Sequence, residues 1–266
     1  MNAESKPSTA DVNGRLWGQR AADWSDLMEP QFRPLYEAAF KAAGLQPGWD
    51  CLDVGCGAGL ALQIAEASGA RVSGVDAASP LLAVAQARVP AANLHLGDLE
   101  TLPFDDRRFD LVTGFNAFQY AGNPVLALAE ARRVTRPGGM IVVATWGPPQ
   151  GMPAASLVAA LKPLLPPPPP GAPGPFALSE EATLQAFARD AGLLSGRCID
   201  VQANWHFETL ALGLRALKSS GVGARAIDHA GEAAVDEAHA AALAPFIQAD
   251  GSYQVAASFR CLIVQA

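Results

Sequence analysis

The stretch CLDVGCGAGL, Cys51 to Leu60, decides the fold. Its first four residues are typical of a buried strand, and glycines follow at positions 55, 57 and 59. Glycine permits a positive φ and lets a ligand approach the backbone closely. Because a glycine turn between a strand and a helix is a common place for nucleotide-like ligands, we predict a cofactor lying against all three glycines.

Strand-like and helix-like segments alternate on both sides of this turn. Apolar strand patterns lie at residues 51–56, 71–77, 93–98, 109–116, 139–146, 197–205 and 253–266. Amphipathic helix patterns separate most of them, including a stripe of apolar residues from 32 to 43. Repeated units of this kind predict an α/β fold with a parallel sheet covered on both faces.

Composition excludes several classes of partner. The chain has 266 residues, is 50% hydrophobic and carries a net charge of −7. With no basic excess, we expect neither nucleic acid nor an anionic membrane surface as a partner. The four cysteines form no CxxC pair, so no metal site is predicted. A polar N-terminus without a signal-peptide pattern predicts reduced thiols and a cytoplasmic protein.

The spacing of the turn discriminates between cofactors. A dinucleotide-binding turn, G-x-G-x-x-G/A, needs a small residue at position 60, where this chain has leucine. A P-loop needs G-K-[ST], which does not follow. With no lysine or arginine beside the turn, the sequence favours a cofactor that carries no phosphate.

Two carboxylates end the next two strands. Asp76 is placed to accept hydrogen bonds from a ribose diol, although an aspartate that caps the next helix has the same pattern. Asp98 is placed to accept a hydrogen bond from an exocyclic amine, with Leu99 covering a flat base. A Gly-Asp pair after a strand is also ordinary turn chemistry, so this interpretation depends on its register with the first two strands.

Four segments in order carry a resemblance: CLDVGCGAG, GVDAASPLLAVAQAR, GDLETLPFDDRRFDLVTGFNAFQY and RVTRPGGMIVVATW. Together they resemble the class I S-adenosylmethionine-dependent methyltransferases, particularly the small-molecule group of ubiquinone and menaquinone biosynthesis. The resemblance implies a Rossmann-like, doubly wound sheet of seven strands, mostly parallel with an antiparallel last strand, plus a helical cover. It also implies S-adenosylmethionine as the cofactor and methyl transfer to a small molecule.

Position by position, the resemblance implies contacts at the strand ends and in an N-terminal lid. The cofactor-binding residues are Asp53, Gly55, Cys56, Gly57, Asp76, Ala77, Asp98, Leu99, Phe115, Asn116, Trp17 and Arg20. The methionine part would lie at the glycine turn, the ribose at Asp76 and the adenine near Leu99. Tryptophans near an N-terminus are also common packing anchors.

Four parts of the chain have distinct expected roles. Residues 1–30 are a lid segment, 31–146 the cofactor-binding core, 147–248 an acceptor-binding cover and 249–266 the final strand of the core sheet. Within the cover, Pro166 to Pro170 predict a polyproline II segment. The cover is rich in alanine, leucine and proline, so we expect a largely apolar metabolite as the acceptor.

The sequence contains fewer candidates for acceptor-binding and catalytic residues than for cofactor-binding ones. The acceptor pocket is expected to include Trp24, Gln119, Tyr120 and Trp205. His206 is the candidate catalytic base, although a lone histidine beside aromatic residues is often only packed there. His229 and His239 lie near or in an alanine-rich helix pattern and are expected to be exposed.

Alternatives remain open at this point. The chain could bind S-adenosylmethionine without turnover, methylate a protein, or act as a nicotinamide-dependent oxidoreductase, the last disfavoured by Leu60. The sequence does not identify the atom methylated or the oligomeric state, and a homodimer is one option.

Overall fold

The computed structural model describes residues 7–167 and 174–266. The strands are β1 Asp50–Val54, β2 Arg71–Asp76, β3 Asn93–Leu96, β4 Phe109–Phe115, β5 Thr135–Trp146, β6 Arg197–Phe207 and β7 Tyr253–Gln265. The α-helices are α1 Thr9–Gly18, α2 Ala21–Asp23, α3 Arg33–Ala43, α4 Leu60–Ala67, α5 Ser79–Arg88, α6 Pro124–Val134, α7 Ala154–Ala160, α8 Glu181–Asp190, α9 Leu210–Lys218, α10 Gly221–Ala230 and α11 Glu232–Leu243. None of the helices in these ranges is long and apolar enough to cross a membrane. The polyproline II prediction for Pro166–Pro170 falls largely on residues outside these ranges.

The seven strands form one sheet in the order β3-β2-β1-β4-β5-β7-β6. The strands β1 to β5 run parallel to one another. β7 lies between β5 and β6 and is antiparallel to both. The predicted doubly wound, Rossmann-like sheet with an antiparallel last strand is therefore confirmed.

The order of the strands determines where a ligand can bind. From β1 the chain proceeds through β2 to β3 at one edge, and β4 then begins on the other side of β1. β1 and β4 are therefore the neighbours at which the winding direction reverses. Open α/β sheets bind ligands in the crevice outside the carboxyl ends of such strands.

Apolar packing on both faces holds the sheet. Cys51, Leu52 and Val54 of β1 are completely inaccessible, which explains why this strand is apolar on both sides. The stripe of α3, with Leu35 and Phe40 at its centre, packs in the hydrophobic cluster on one side of the sheet. Helices α6 and α8 bury apolar side chains in the cluster on the other side.

The helices α9, α10 and α11 cover the carboxyl ends of the strands together with the N-terminal helices. The sequence pattern does not predict α10, because Gly221 and Gly223 in its first turn lower the helix propensity. Ser220 caps the helix by accepting a hydrogen bond from the Gly223 N–H at 3.1 Å. A Cβ at position 221 would lie 2.4 Å from the indole nitrogen of Trp17, so the contact between α10 and α1 requires glycine there.

Candidate active site

A continuous cavity lies over the carboxyl ends of β1 to β5, beneath the helices of the cover. The fold brings twelve of the predicted site residues to its walls: Trp17, Trp24, Gly55, Gly57, Asp76, Ala77, Asp98, Leu99, Phe115, Asn116, Tyr120 and Trp205. They come from five different strand ends and from the N-terminal segment. Their assembly follows from the parallel sheet, which presents these ends at one edge.

Glycine occupies the three positions of the turn for different local reasons. All have left-handed φ angles, of 77°, 53° and 83° at Gly55, Gly57 and Gly59. A Cβ at Gly55 would lie 2.6 Å from the Ala117 Cβ, and one at Gly59 would lie 2.9 Å from the Ala85 Cβ. The expectation that a ligand explains all three is therefore wrong for Gly59, which faces α5, and incomplete for Gly55.

Gly57 lies beside the N-terminal segment. A Cβ there would be 3.5 Å from the Trp24 Nε1 and 3.6 Å from the Glu29 Oε1, which is ordinary contact distance. Its left-handed backbone still favours glycine. Both Gly55 and Gly57 line the cavity, so a bound molecule has access to the backbone of the turn.

Asp76 joins the turn to the start of α5. Its Oδ2 accepts a hydrogen bond from the Gly57 N–H and its Oδ1 accepts one from the Ala78 N–H, both at 2.8 Å. The carboxylate is half-buried and lines the cavity, and burial raises its pKa. It therefore organises the loop that precedes α5 and also remains within reach of a ligand.

Three carboxyl groups surround the glycine turn. Asp53 is buried beneath it and accepts a hydrogen bond from the Thr113 hydroxyl at 2.7 Å. Burial, together with the negative charges of Glu29 and Asp76, raises the pKa of Asp53 to about 8. At neutral pH Asp53 is therefore protonated and carries no charge, and Asp76 is the carboxyl group of the three that lines the cavity.

Glu29 is a buried residue beside the glycine turn for which the sequence carries no signal. It is 2% exposed, forms an ion pair with Arg88 of α5, and its Oε1 accepts a hydrogen bond from the Leu60 N–H at 3.3 Å. Arg88 also donates to the Ala58 carbonyl at 2.8 Å and to the Ser25 hydroxyl at 2.9 Å. Burial raises the Glu29 pKa despite this partner. The pair fastens the N-terminal segment to the glycine turn.

Four predicted residues lie behind or beside the walls. Asp53 is beneath the turn, and Cys56 is buried where a Cβ at Gly74 would lie 2.7 Å from its sulfur. Arg20 forms a surface ion pair with Glu232 at 2.9 Å. The Gln119 amide donates to the Asn116 Oδ1 at 3.1 Å. These residues support or flank the cavity and are not among its lining residues.

His206 requires a correction as the candidate base. Successive side chains of a strand point to opposite faces, and Trp205 of β6 is the inward one, 2% exposed. His206 therefore lies on the exposed face, where its backbone N–H donates to the Gln31 side chain at 2.9 Å. β6 thus lines the cavity through Trp205, whereas His206 lies outside the cavity lining.

His239 is the histidine that the fold brings to the cavity. It lines the wall from α11 and is 2% exposed, contrary to the expectation of an exposed residue. Burial lowers its pKa to about 4, so the imidazole is neutral near pH 7. Among the described residues, its Nδ1 has no hydrogen-bond partner.

Most of the remaining wall is aromatic or aliphatic, with Asn13 and Ser220 as polar exceptions. The larger side chains include Met28, Phe32, Tyr36, Trp146, Leu157, Val158, Leu161 and Leu217. The Trp205 ring centroid lies 5.7 Å from that of Phe32 and 5.7 Å from that of Trp146. Apolar walls of this kind suit a ligand with a large hydrophobic surface.

Comparison with known proteins places this geometry in a family. A family model described as a methyltransferase domain matches residues 52–143. The chain is 36% identical over 126 residues to a malonyl-[acyl-carrier protein] O-methyltransferase of Serratia marcescens, covering 47% of this chain and 49% of that protein. It is 38% identical over 108 residues to a demethylmenaquinone methyltransferase of Renibacterium salmoninarum, covering 41% and 46%. The chain thus spans less than half the length of these two named relatives.

A longer match is found with an uncharacterized protein of Mycobacterium tuberculosis. It is 30% identical over 189 residues, which cover 70% of this chain and 68% of that protein. The solved structure of the 4+2 cyclase SpnF is similar over 99% of this chain and 98% of its own, with a TM-score of 0.59 and 19% identity, a likeness of fold alone. With its glycine turn, its strand-end carboxylates and these relatives, the chain belongs to the class I S-adenosylmethionine-dependent methyltransferases.

Proposed function

We propose that the protein transfers the methyl group of S-adenosylmethionine to a small, largely apolar metabolite. The observation that carries this proposal is the division of the cavity into two chemically different ends. One end has the glycine turn and the carboxylates Asp76 and Asp98, and the other has aromatic and aliphatic walls. A polar, cationic cofactor and an apolar acceptor can therefore occupy one cavity together.

The electrostatics of the cofactor end support a sulfonium cofactor. In the described ranges, no lysine or arginine lines the cavity, so a pyrophosphate would meet carboxylates without a compensating cation. The carboxylates Asp76 and Asp98 would attract the sulfonium and ammonium charges of S-adenosylmethionine. Behind the turn, Glu29 is already paired with Arg88, and Asp53 would add its charge once a nearby cation favours its ionised form. The lack of a basic side chain among the described lining residues disfavours a nicotinamide dinucleotide independently of Leu60.

Within this proposal, each wall residue has a role. Asp76 would accept hydrogen bonds from the ribose hydroxyls, with Ala77, Asp98 and Leu99 around the adenine. The backbones of Gly55 and Gly57, with Phe115 and Asn116 at the end of β4, would hold the methionine part. Trp17 and Trp24 would cover the cofactor, while Asp53 and Cys56 act from behind the turn. We further propose the four-part organisation at residues 1–30, 31–146, 147–248 and 249–266, and a cytoplasmic location.

Methyl transfer requires little further chemistry from the protein. The cofactor supplies an activated methyl group, which an acceptor atom takes by in-line displacement. The chain must therefore align the acceptor with that group and exclude water. The aromatic walls and the covering helices are suited to both tasks.

The test uses S-adenosylmethionine labelled in its methyl group. We would incubate it with the protein and a metabolite extract, using Asp76→Ala as the control variant. Label in an organic-soluble product, lost in the variant, is the expected result. Binding of S-adenosylhomocysteine without any transfer would favour a non-catalytic binding protein. Label on macromolecules would instead favour a protein methyltransferase, and displacement by NADH would overturn the cofactor assignment.

A further inference from the structure

We infer that His239 binds the acceptor and takes its proton, and that the acceptor is therefore an apolar molecule bearing a hydroxyl group. This inference rests on the proposed methyl transfer and specifies its substrate class. His239 is a buried polar residue of the cavity wall that the proposed cofactor contacts do not use.

The His239 imidazole is in an unusual position for a structural residue. It is 2% exposed and lines the cavity, and its Nδ1 has no hydrogen-bond partner in the described part of the chain. A buried polar atom without a partner loses the hydrogen bonds it had with water, which is why nearly all such atoms are paired in folded proteins. The Nδ1 atom is inaccessible in the ligand-free protein, so a ligand in the cavity would reach it after a rotation of the imidazole, and a hydrogen bond donated to Nδ1 would remove that cost.

A second orphaned group lines the same cavity. The indole N–H of Trp205 is buried and also has no hydrogen-bond partner among the described residues. Trp205 can only donate, whereas a neutral imidazole can accept. The two orphaned groups therefore provide one donor and one acceptor that the described residues leave without partners. A neutral ring molecule with a hydroxyl and a second oxygen satisfies both.

The charged neighbours of His239 come from two helices. Asp236 of α11 favours the protonated imidazole and Lys218 of α9 opposes it, while burial has the largest effect and favours the neutral form. Lys218 is itself paired with Asp236 at 2.6 Å and with Glu232 at 2.7 Å. The imidazole is therefore a free hydrogen-bond acceptor at neutral pH, and Asp236 remains close enough to stabilise a proton that it gains.

The transfer balances without any further reactant. The acceptor oxygen forms a bond to the methyl carbon as the sulfur–carbon bond breaks, and the O–H proton moves to the His239 Nδ1. One positive charge leaves the sulfur and one appears on the imidazole, so the net charge in the cavity does not change. Release to water then restores the neutral histidine. General-base assistance of this kind contributes about 10²- to 10⁴-fold to a rate.

The binding arm of the test uses 2-naphthol and its methyl ether, which differ in the hydroxyl proton. Equilibrium dialysis of the protein saturated with S-adenosylhomocysteine should show 2-naphthol binding up to about 10-fold more tightly than the ether, as expected for one hydrogen bond. His239→Phe should abolish this preference. His229→Asn is the matched control, since that histidine is exposed, and should retain it. An equal preference in wild type and His239→Phe would overturn the inference.

The kinetic arm separates this inference from the proposed function. His239→Asn should bind S-adenosylhomocysteine as wild type does but transfer label to the extract at least about 10²-fold more slowly. If wild type itself transfers no label, the proposed function fails. If wild type transfers label and His239→Asn does so equally fast, only the role of His239 fails. Should the variants unfold, the wild-type imidazole nitrogen-15 NMR signals provide the readout, since accepting a hydrogen bond from 2-naphthol should move an unprotonated ring nitrogen much further than the ring-current shift that the ether also causes.

Discussion

At the scale of single residues, Asp76 offers the most direct test of the cofactor site. Its carboxylate already holds the glycine turn to the start of α5 and still lines the cavity. Asp76→Asn keeps the size of the side chain but loses its charge and one acceptor oxygen. Hydrogen bonds to charged groups contribute about 1.5–3 kcal/mol, so the Kd for S-adenosylhomocysteine should rise by about 10- to 100-fold.

Calorimetric titration measures that change. Asp105→Asn is the control, because Asp105 is an exposed residue outside the cavity lining. An unchanged Kd in Asp76→Asn would contradict the ribose assignment.

Asp53 predicts a pH dependence of cofactor binding. Its pKa of about 8 means that the free protein holds this proton at neutral pH. A sulfonium nearby would favour the ionised carboxylate, so affinity for S-adenosylmethionine relative to S-adenosylhomocysteine should increase as the pH rises from 6 to 9. The ratio of the two affinities cancels the contribution of the amino-acid portion, which both ligands share. Titrations across this range should show the trend in wild type and its loss in Asp53→Asn; an identical trend in both would refute it.

Asp53 also makes the free energy of unfolding depend on pH, in the opposite direction to a salt-bridged aspartate. Because the folded state holds the proton more tightly than the unfolded chain, the contribution of Asp53 to the free energy of unfolding falls as the pH rises from 3.8 toward 8. For His239, whose pKa is lowered from 6.5 to about 4, the contribution is complete above 6.5 and is lost as the pH falls toward 4.

At the scale of elements, one buried ion pair fixes the N-terminal segment. Glu29 and Arg88 have side chains that are 3% and 17% exposed. Arg88→Met would leave a buried carboxylate without its partner, which typically costs about 3–5 kcal/mol. Urea unfolding should show this loss, and the double variant Glu29→Leu/Arg88→Met should recover most of it.

The control for this cycle is Arg33→Met. Arg33 pairs with Glu37 across an exposed helix surface, where such pairs contribute about 0–1 kcal/mol. If Arg88→Met costs no more than Arg33→Met, the pair does not anchor the segment.

Elements with a local signal were predictable from the sequence. β1, the turn and α4 follow from an apolar run, three glycines and an apolar helix pattern, and α3 follows from its stripe. α10 could not be predicted in this way, because its glycines weaken the local signal. Its packing instead depends on Trp17, a residue distant in the sequence.

The part of the site that lies at the carboxyl ends of the strands could be predicted from the sequence. Asp76, Asp98 and Phe115 come together because parallel strands present their carboxyl ends at one edge. The sequence does not show which of His206 and His239 lines the cavity, since burial depends on which face of β6 and α11 the rest of the chain covers. Glu29 had no signal either, because its partner Arg88 lies 59 positions away.

At the scale of the whole molecule, ion pairs join the N-terminal segment to the helices α9, α10 and α11. Arg15 pairs with Asp228 at 2.7 Å, Arg20 with Glu232 at 2.9 Å and Asp23 with Arg215 at 2.6 Å. These pairs are at least partly exposed, so each contributes about 0–1 kcal/mol and is weakened by salt. We call the contact between the N-terminal segment and the helices α9, α10 and α11 the seam. Because its ion pairs weaken in salt, the seam should open more readily as ionic strength rises.

Stopped-flow release of S-adenosylhomocysteine tests the seam. Release should accelerate when salt is increased, and the triple variant Arg15→Gln/Arg20→Gln/Arg215→Gln should release quickly at every salt concentration. Arg33→Gln, which disrupts a pair within α3, serves as the control. An unchanged salt dependence in the triple variant would show that the ligand leaves by another route.

The two sides of the seam lie far apart in the sequence, which affects when the cavity closes during protein synthesis. Arg15 and Asp228 are 213 positions apart. At about 5–20 residues per second, a ribosome makes the second of them about 10 to 40 seconds after the first. The strands β1 to β5 are complete well before then, with their carboxyl ends uncovered. The nascent protein therefore passes through an interval in which its central strands can pair while Trp17 and Trp24 still await the helices they pack beside, and the cavity closes only after α9, α10 and α11 have been made.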